Sequence, residues 1–260
     1  MKIKKGVAAT IIFGVGLITI ISLSGLDAVL PQNNLAIEKK TTMEQFFLTT
    51  DDNLKIAADL YETPNIPQGW VILIHMMPST KESWKDLAEY LLENNYESIA
   101  IDLRGHGRSE NGPSGYTNFS DEQHQQSILD LKAAVNYLMQ NRGASADKIN
   151  LIGASIGANL SLQYIAENPQ FKTAILLSSG LNYRGIETES LIKKLKTGQK
   201  VFFVSSKNDN NNVKENQKLY DLTSTDVIKD IKIYETGGHG TDILNNQSEL
   251  KNLIINFIQK

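Results

Sequence analysis

Cysteine is absent from this 260-residue chain. Disulfides, cysteine-ligated zinc and thiol nucleophiles are therefore excluded. Histidine is scarce: four are present, and none stands in an H-E-x-x-H arrangement, so the usual zinc-hydrolase helix is missing. There is no excess of basic charge either. Lys and Arg number 26 against 29 Asp and Glu, for a net charge of −3, and no basic stripe marks a nucleic-acid partner. What remains is an ordinary globular composition, 41% hydrophobic and 21% charged, sufficient for one α/β domain.

Uncharged runs of 20 residues or more are missing too, with one exception. Lys2, Lys4 and Lys5 precede Gly6 to Leu26, a stretch with no charge and rich in Ile, Val and Leu. A basic flank followed by an apolar run is the pattern of an export signal, and this one is close to the length that spans a bilayer. Residues 1–30 are thus expected to be a signal peptide or an N-terminal membrane anchor. Basic flanks stay cytoplasmic, which puts the remainder outside, either tethered or released by cleavage. No cysteine follows the run, so a lipoprotein anchor is excluded. Residues 31–43, polar and without periodicity, read as a linker, and residues 44–260 as the globular domain.

Within that domain, short apolar runs alternate with amphipathic segments, the signature of a largely parallel sheet covered on both faces. Phe46–Leu48 and Leu54–Tyr61, joined through Asp51-Asp52-Asn53, predict an opening hairpin. Trp70–Ile74, Ser98–Ile101, Ile149–Ile152, Ala174–Leu177, Val201–Val204 and Ile231–Tyr234 predict the other strands. Ser120 with Gln123 forms a capping box, opening a helix that runs through Ile128, Leu131, Val135 and Leu138 to Gly143. Leu250 to Ile258 predicts a closing amphipathic helix. Few residues separate Leu177 from Val201, too few for a separate lid domain, which predicts an open mouth.

The densest chemical signal is Gly153-Ala154-Ser155-Ile156-Gly157. This G-x-S-x-G follows an apolar strand and opens a helical run, the context in which a sharp turn exposes a serine hydroxyl as a nucleophile. Such a hydroxyl needs a base to take its proton, and neutral imidazole is the usual one. His75 ends a buried strand, His106 sits in a glycine turn, and His124 falls in the first turn of a helix, where solvation is expected. His239, in Gly237-Gly238-His239-Gly240 after the last strand, can swing toward the serine, and it is the expected base. The acid that holds it is expected to be Asp209, just past the carboxyl end of the Val201–Val204 strand. Asp221, Asp226, Asp230 and Asp242 are placed less well, while Asp102 and Arg104 read as turn chemistry.

Several separate segments together resemble the α/β-hydrolase superfamily, in a capless, serine-esterase-like form. Asp102–Ser109 is similar to its D-x-R-G-x-G-x-S turn, Ile74–Pro78 to its H-G-x segment, Gly153–Gly157 to its nucleophile elbow and Gly238–Gly240 to its base loop. The resemblance implies an eight-stranded, mostly parallel sheet with helices on both faces, minimal or no lid, and the catalytic order Ser, Asp, His. It also implies an oxyanion hole from the backbone N–H groups of Met77 and Ile156. Where the family often has Gly after the strand-end His, this chain has Met76; a backbone donor survives that change, but the pocket narrows.

The expected activity is an exported serine hydrolase cleaving a carboxylic ester through an acyl-enzyme, on a small-molecule ester or acyl substrate. It needs no metal or organic cofactor and touches the membrane only through its N-terminal segment. An amidase, peptidase or acyltransferase would use the same machinery. A non-catalytic binding module on the same fold is the alternative from another class.

Overall fold

The apolar runs become the strands of a single sheet in the computed structural model, which describes residues 42–260. The expected signal or anchor segment and nearly all of the expected linker lie outside the described residues. The first strand begins at Thr42, inside the stretch read as linker, because it pairs residue for residue with the next strand. Among the described residues no helix is long and apolar enough to cross a membrane.

Eight strands form the sheet: β1 Thr42–Thr49, β2 Lys55–Glu62, β3 Gly69–Ile74, β4 Tyr96–Ile101, β5 Ile149–Ala154, β6 Thr173–Leu177, β7 Lys200–Ser206 and β8 Ile228–Tyr234. Their spatial order is β1-β2-β4-β3-β5-β6-β7-β8. Only β2 runs against its neighbours; β3 to β8 are parallel. Strands covered on both faces have no need to alternate, and β3, β4, β5 and β6 are buried at every position.

The helices are α1 Lys85–Glu93, α2 Asp121–Gln125, α3 Ile128–Asn141, α4 Ile156–Glu167, α5 Thr188–Ile192, α6 Asn212–Leu222, α7 Asp242–Asn246 and α8 Leu250–Ile258. Successive strand residues feed two cores. Ile72 and Ile74 join Leu131, Val135, Leu160 and Leu219 on the face of α3, α4 and α6. Val71 and Leu73 join Leu87, Leu91, Ile254 and Phe257 on the face of α1 and α8. Parallel strands all end at one edge, and loops from β3, β5, β7 and β8 meet there.

The capping box is formed: the Ser120 hydroxyl accepts from the Gln123 amide, and Gln123 Oε1 accepts from the Ser120 amide. The helix it opens is shorter than expected. α2 ends at Gln125, and α3 starts afresh at Ile128. The break seats Asp130, in the first turn of α3, on the Arg104 amide at 2.8 Å. It also turns His124 inward against Phe119, 2% exposed, which overturns the expectation of a solvated side chain.

Candidate active site

Ser155 links β5 to α4 with φ 54° and ψ −117°, a backbone conformation that non-glycine residues rarely take. Crowding explains the residues around it. A Cβ on Gly153 would lie 2.0 Å from the Gly157 carbonyl oxygen, and one on Gly157 would lie 2.3 Å from the Ile74 carbonyl oxygen. Only hydrogen fits at either place. The same approach brings the start of α4 against the end of β3. Ile156 is the first residue of α4, so its N–H lacks an acceptor within the helix. The Ser155 amide itself is anchored to the Leu177 carbonyl of β6 at 2.8 Å.

Beyond β3, Met76 and Met77 are half-buried and pack on opposite cores. His75 is fully enclosed. Its Nε2 accepts the Leu103 N–H at 2.9 Å, so Nδ1 carries the proton and donates to the Met76 carbonyl at 2.8 Å. With both nitrogens engaged inside the fold, His75 is not a base. His106 is equally unsuited: it stacks on Tyr116 with centroids 4.0 Å apart and donates from Nδ1 to the Arg104 carbonyl at 3.0 Å.

Asp209 and His239, thirty positions apart, are brought into contact, with His239 Nδ1 2.7 Å from Asp209 Oδ2. The carboxylate is buried and the imidazole one-third exposed. A carboxylate only accepts, so Nδ1 donates and Nε2 is left as the proton acceptor. Asp209 follows β7 in a turn closed by its own amide on the Ser206 carbonyl at 3.1 Å. Asp221 lies in α6, Asp230 in β8 and Asp242 at the start of α7, so none of them takes that place.

Tyr183 stands beside the pair. Its ring is edge-on to His239 with centroids 6.4 Å apart, and its hydroxyl lies 3.5 Å from Asn212 Nδ2. Burial pushes the phenol up to about 12, so it stays neutral at ordinary pH. It comes from the interval after β6, which folds as a small hairpin, Asn182–Tyr183 with Ile186–Glu187, followed by α5.

Three further positions were not visible in the sequence. Ser178, at φ 54°, accepts the Gly240 amide on its hydroxyl at 2.9 Å and so ties the base loop to the end of β6. Asn208 Oδ1 accepts the amides of Gly237 and Gly238, each at 3.1 Å. The Ser206 hydroxyl lies between Asn208 Oδ1 and the Gly238 carbonyl, at 2.7 and 2.6 Å. The asparagine-rich stretch, legible only as turn material, thus also clamps the histidine loop. A cleft of about 490 Å³ opens beside His239, lined by Tyr183, Asp209, Asn212 and Glu215 among others.

Asp102 and Arg104 carry structure. Asp102 accepts the amides of Lys81 and Arg108 at 2.8 and 2.9 Å. Arg104 is bound to Asp130 and Asp52 and is 3% exposed, out of reach of a substrate.

The family described as serine aminopeptidase, S33, matches residues 65–228 of the chain. A Bacillus subtilis protein provisionally named 2-succinyl-6-hydroxy-2,4-cyclohexadiene-1-carboxylate synthase is 28% identical over 153 residues, 57% of this chain and 50% of that protein. The chain therefore matches about half the length of that curated relative. An esterase from Pyrococcus furiosus superimposes with a TM-score of 0.69 at 20% identity, over 85% of this chain and 91% of its own. A CIB-like hydrolase from Thermoplasma acidophilum superimposes at 0.65 and 17% identity, over 84% and 99%. These likenesses establish the fold: a mostly parallel sheet with helices, as in α/β hydrolases.

Proposed function

The chain belongs to the serine aminopeptidase, S33, family of α/β hydrolases, and we propose that it is an exported serine hydrolase that cleaves a carboxylic ester through Ser155, His239 and Asp209. In this reading His239 Nε2 takes the proton as Ser155 Oγ attacks the acyl carbon. Asp209 holds the ring and stabilises the imidazolium. The amides of Met77 and Ile156 receive the oxyanion, and water, activated by the same imidazole, releases the acid. The observation that carries it is the 2.7 Å contact of Asp209 with His239, at the same edge of the sheet as a serine held at positive φ.

Export rests on Lys2, Lys4 and Lys5 followed by the uncharged run from Gly6 to Leu26. The short interval between β6 and β7 supports small acyl groups, with turnover falling as p-nitrophenyl esters lengthen.

A second reading has its own support. Glu215 lines the cleft beside His239 and would attract a substrate ammonium, as on the amino end of a peptide. The test is turnover of p-nitrophenyl esters against aminoacyl p-nitroanilides, with fluorophosphonate labelling of wild type and Ser155→Ala. Labelling lost with the hydroxyl, and esters preferred, supports the first reading. Preference for the anilides supports the second. An unlabelled wild type would mean a binding module.

A further inference from the structure

The end of the sheet opposite the serine carries a second concavity, of about 240 Å³. It is built by register. Lys148, Lys172 and Lys200 stand at the entries of the adjacent parallel strands β5, β6 and β7, in a ladder where Asn150 pairs with Thr173 and Thr173 with Lys200. Neighbouring strands lie about 4.8 Å apart and side chains alternate along each. Lys148 and Lys200 therefore share a face of the ladder with Asn150 and Thr173, Lys172 stands one residue out of that register, and all three line the bowl. Lys260, the last residue of the chain, closes the bowl from the side of α8, and Thr173 with Asn150 lies among its lining.

The charge there is lopsided on a protein that is acidic as a whole. Four side-chain ammonium groups share the bowl with one side-chain carboxylate, that of Asp147, and with the main-chain carboxylate of Lys260. Lys260 is paired with Asp230 at 2.9 Å. Among the described residues, no carboxylate lies within 4.0 Å of Lys148, Lys172 or Lys200. Lys172 instead donates to the Pro169 carbonyl at 2.8 Å, and Lys200 to the carbonyls of Phe257 and Ile258 at 3.2 and 2.6 Å. Those bonds engage the ammonium groups with carbonyl dipoles, and no carboxylate completes the pairing. Burial and the Lys260 ammonium lower the proton affinity of Lys200, as expected of a cation that lacks an anion.

We propose that this basal bowl is a binding site for a phosphate-ester anion, held by Lys148, Lys172, Lys200 and Lys260. Its volume admits a phosphate-bearing head group rather than an extended chain. Two sources carry that chemistry, a free organic phosphate and the head group of an anionic phospholipid. The described chain enters β1 at Thr42 on this same end of the sheet, since Thr42 pairs with Glu62 and Tyr61 with Ser98 of β4. A bowl at that end can meet a membrane surface while the serine faces away, and lysines near an anionic leaflet are drawn to it.

The test is lysine acetylation of the full chain, followed by mass spectrometry. One arm adds glycerol 1-phosphate in non-ionic detergent, against sodium chloride at matched ionic strength. The other compares nanodiscs of phosphatidylcholine alone with discs that also contain phosphatidylglycerol. Lys148 and Lys172 are expected to react about tenfold more slowly at ten times the Kd of the probe, with Lys55 and Lys85 unaffected. Lys172→Glu should abolish the protection of Lys148 and keep wild-type ester turnover. Protection in either arm supports the site and names its source. Rates no slower than in chloride, together with rates equal in the two kinds of disc, would overturn it.

Discussion

The Nδ1 of His75 donates to the carbonyl oxygen of Met76 at 2.8 Å, and the Ser79 amide donates to that same oxygen at 2.8 Å. In a planar trans peptide the carbonyl of one residue and the N–H of the next point in opposite directions. Fixing the Met76 oxygen therefore fixes the direction of the Met77 N–H, the donor assigned to the oxyanion. His75→Ala should unpin that amide and strand the buried Leu103 N–H. We expect a stability loss of about 1–3 kcal/mol. We also expect kcat to fall by about 100-fold with a smaller change in KM, as for loss of one oxyanion donor. Urea unfolding and steady-state kinetics measure the two effects. Lost stability with intact kcat would show that the His75 bond does not set the Met77 amide, the Ser79 amide sufficing to hold the Met76 oxygen.

His75 and His106 should make the fold acid-sensitive. Burial holds each imidazole down at about 4, with the charge of His75 adding to the effect at His106, against 6.5 in the unfolded chain. Between those values the unfolded chain binds protons that the folded one does not. Their contribution is fully present above 6.5 and declines as pH falls toward 4, by about 1.4 kcal/mol per pH unit for each imidazole. Urea midpoints across that range should show the slope. His106→Phe retains a ring against Tyr116 and should flatten the slope by one proton; an unchanged slope would mean that His106 does not contribute.

Local crowding was legible in the sequence, and long-range contacts were not. Gly153 and Gly157 announced the Ser155 turn because the turn itself demands them, and continuous apolar runs marked β3, β5 and β6 because both faces are covered. His239 and Asp209 could be chosen because topology delivers the loops after the last strands to one edge. Ser178 carries no such mark: its role exists only once the Gly240 amide arrives from sixty-two positions away. Asn208 is similar, since an asparagine in a turn and an asparagine that clamps another loop look alike in one dimension. His124 misled because its burial is a tertiary contact with Phe119, which a helical pattern in the sequence does not carry.

Arg104 and Asp130 form a brace whose loss should touch folding and spare chemistry. Nε and Nη2 of Arg104 lie 3.0 and 2.8 Å from Asp130 Oδ1, and burial pushes the enclosed carboxyl up to about 6 despite the guanidinium. Removing one partner leaves a buried charge unpaired, so Arg104→Met should cost about 3–5 kcal/mol. Adding Asp130→Asn should restore part of it by removing the stranded charge. Denaturant unfolding of the single and double variants gives the coupling. The kcat/KM of the folded variants should match wild type; a selective rise in KM would instead make Arg104 a substrate contact.

Met76 and Gly240 should be coupled through space. Gly240 has φ +58°, and a Cβ there would lie 2.6 Å from Met76 Sδ and 3.2 Å from the Ala154 Cβ. Gly240→Ala must therefore displace the Met76 thioether or push the base loop away from the Ser155 turn, and a side chain in the left-handed region adds about 1 kcal/mol of strain. Where the loop yields, His239 shifts relative to the Ser155 turn, while Asp209 stays in its own turn after β7. We expect kcat/KM to fall by about 100-fold, the scale of a displacement near 1 Å at a catalytic group. Met76→Ala removes the thioether and leaves Ala154 in place, so the double variant should recover part of the loss. Additive losses in the two single variants would show that the methionine does not set the position of the histidine loop.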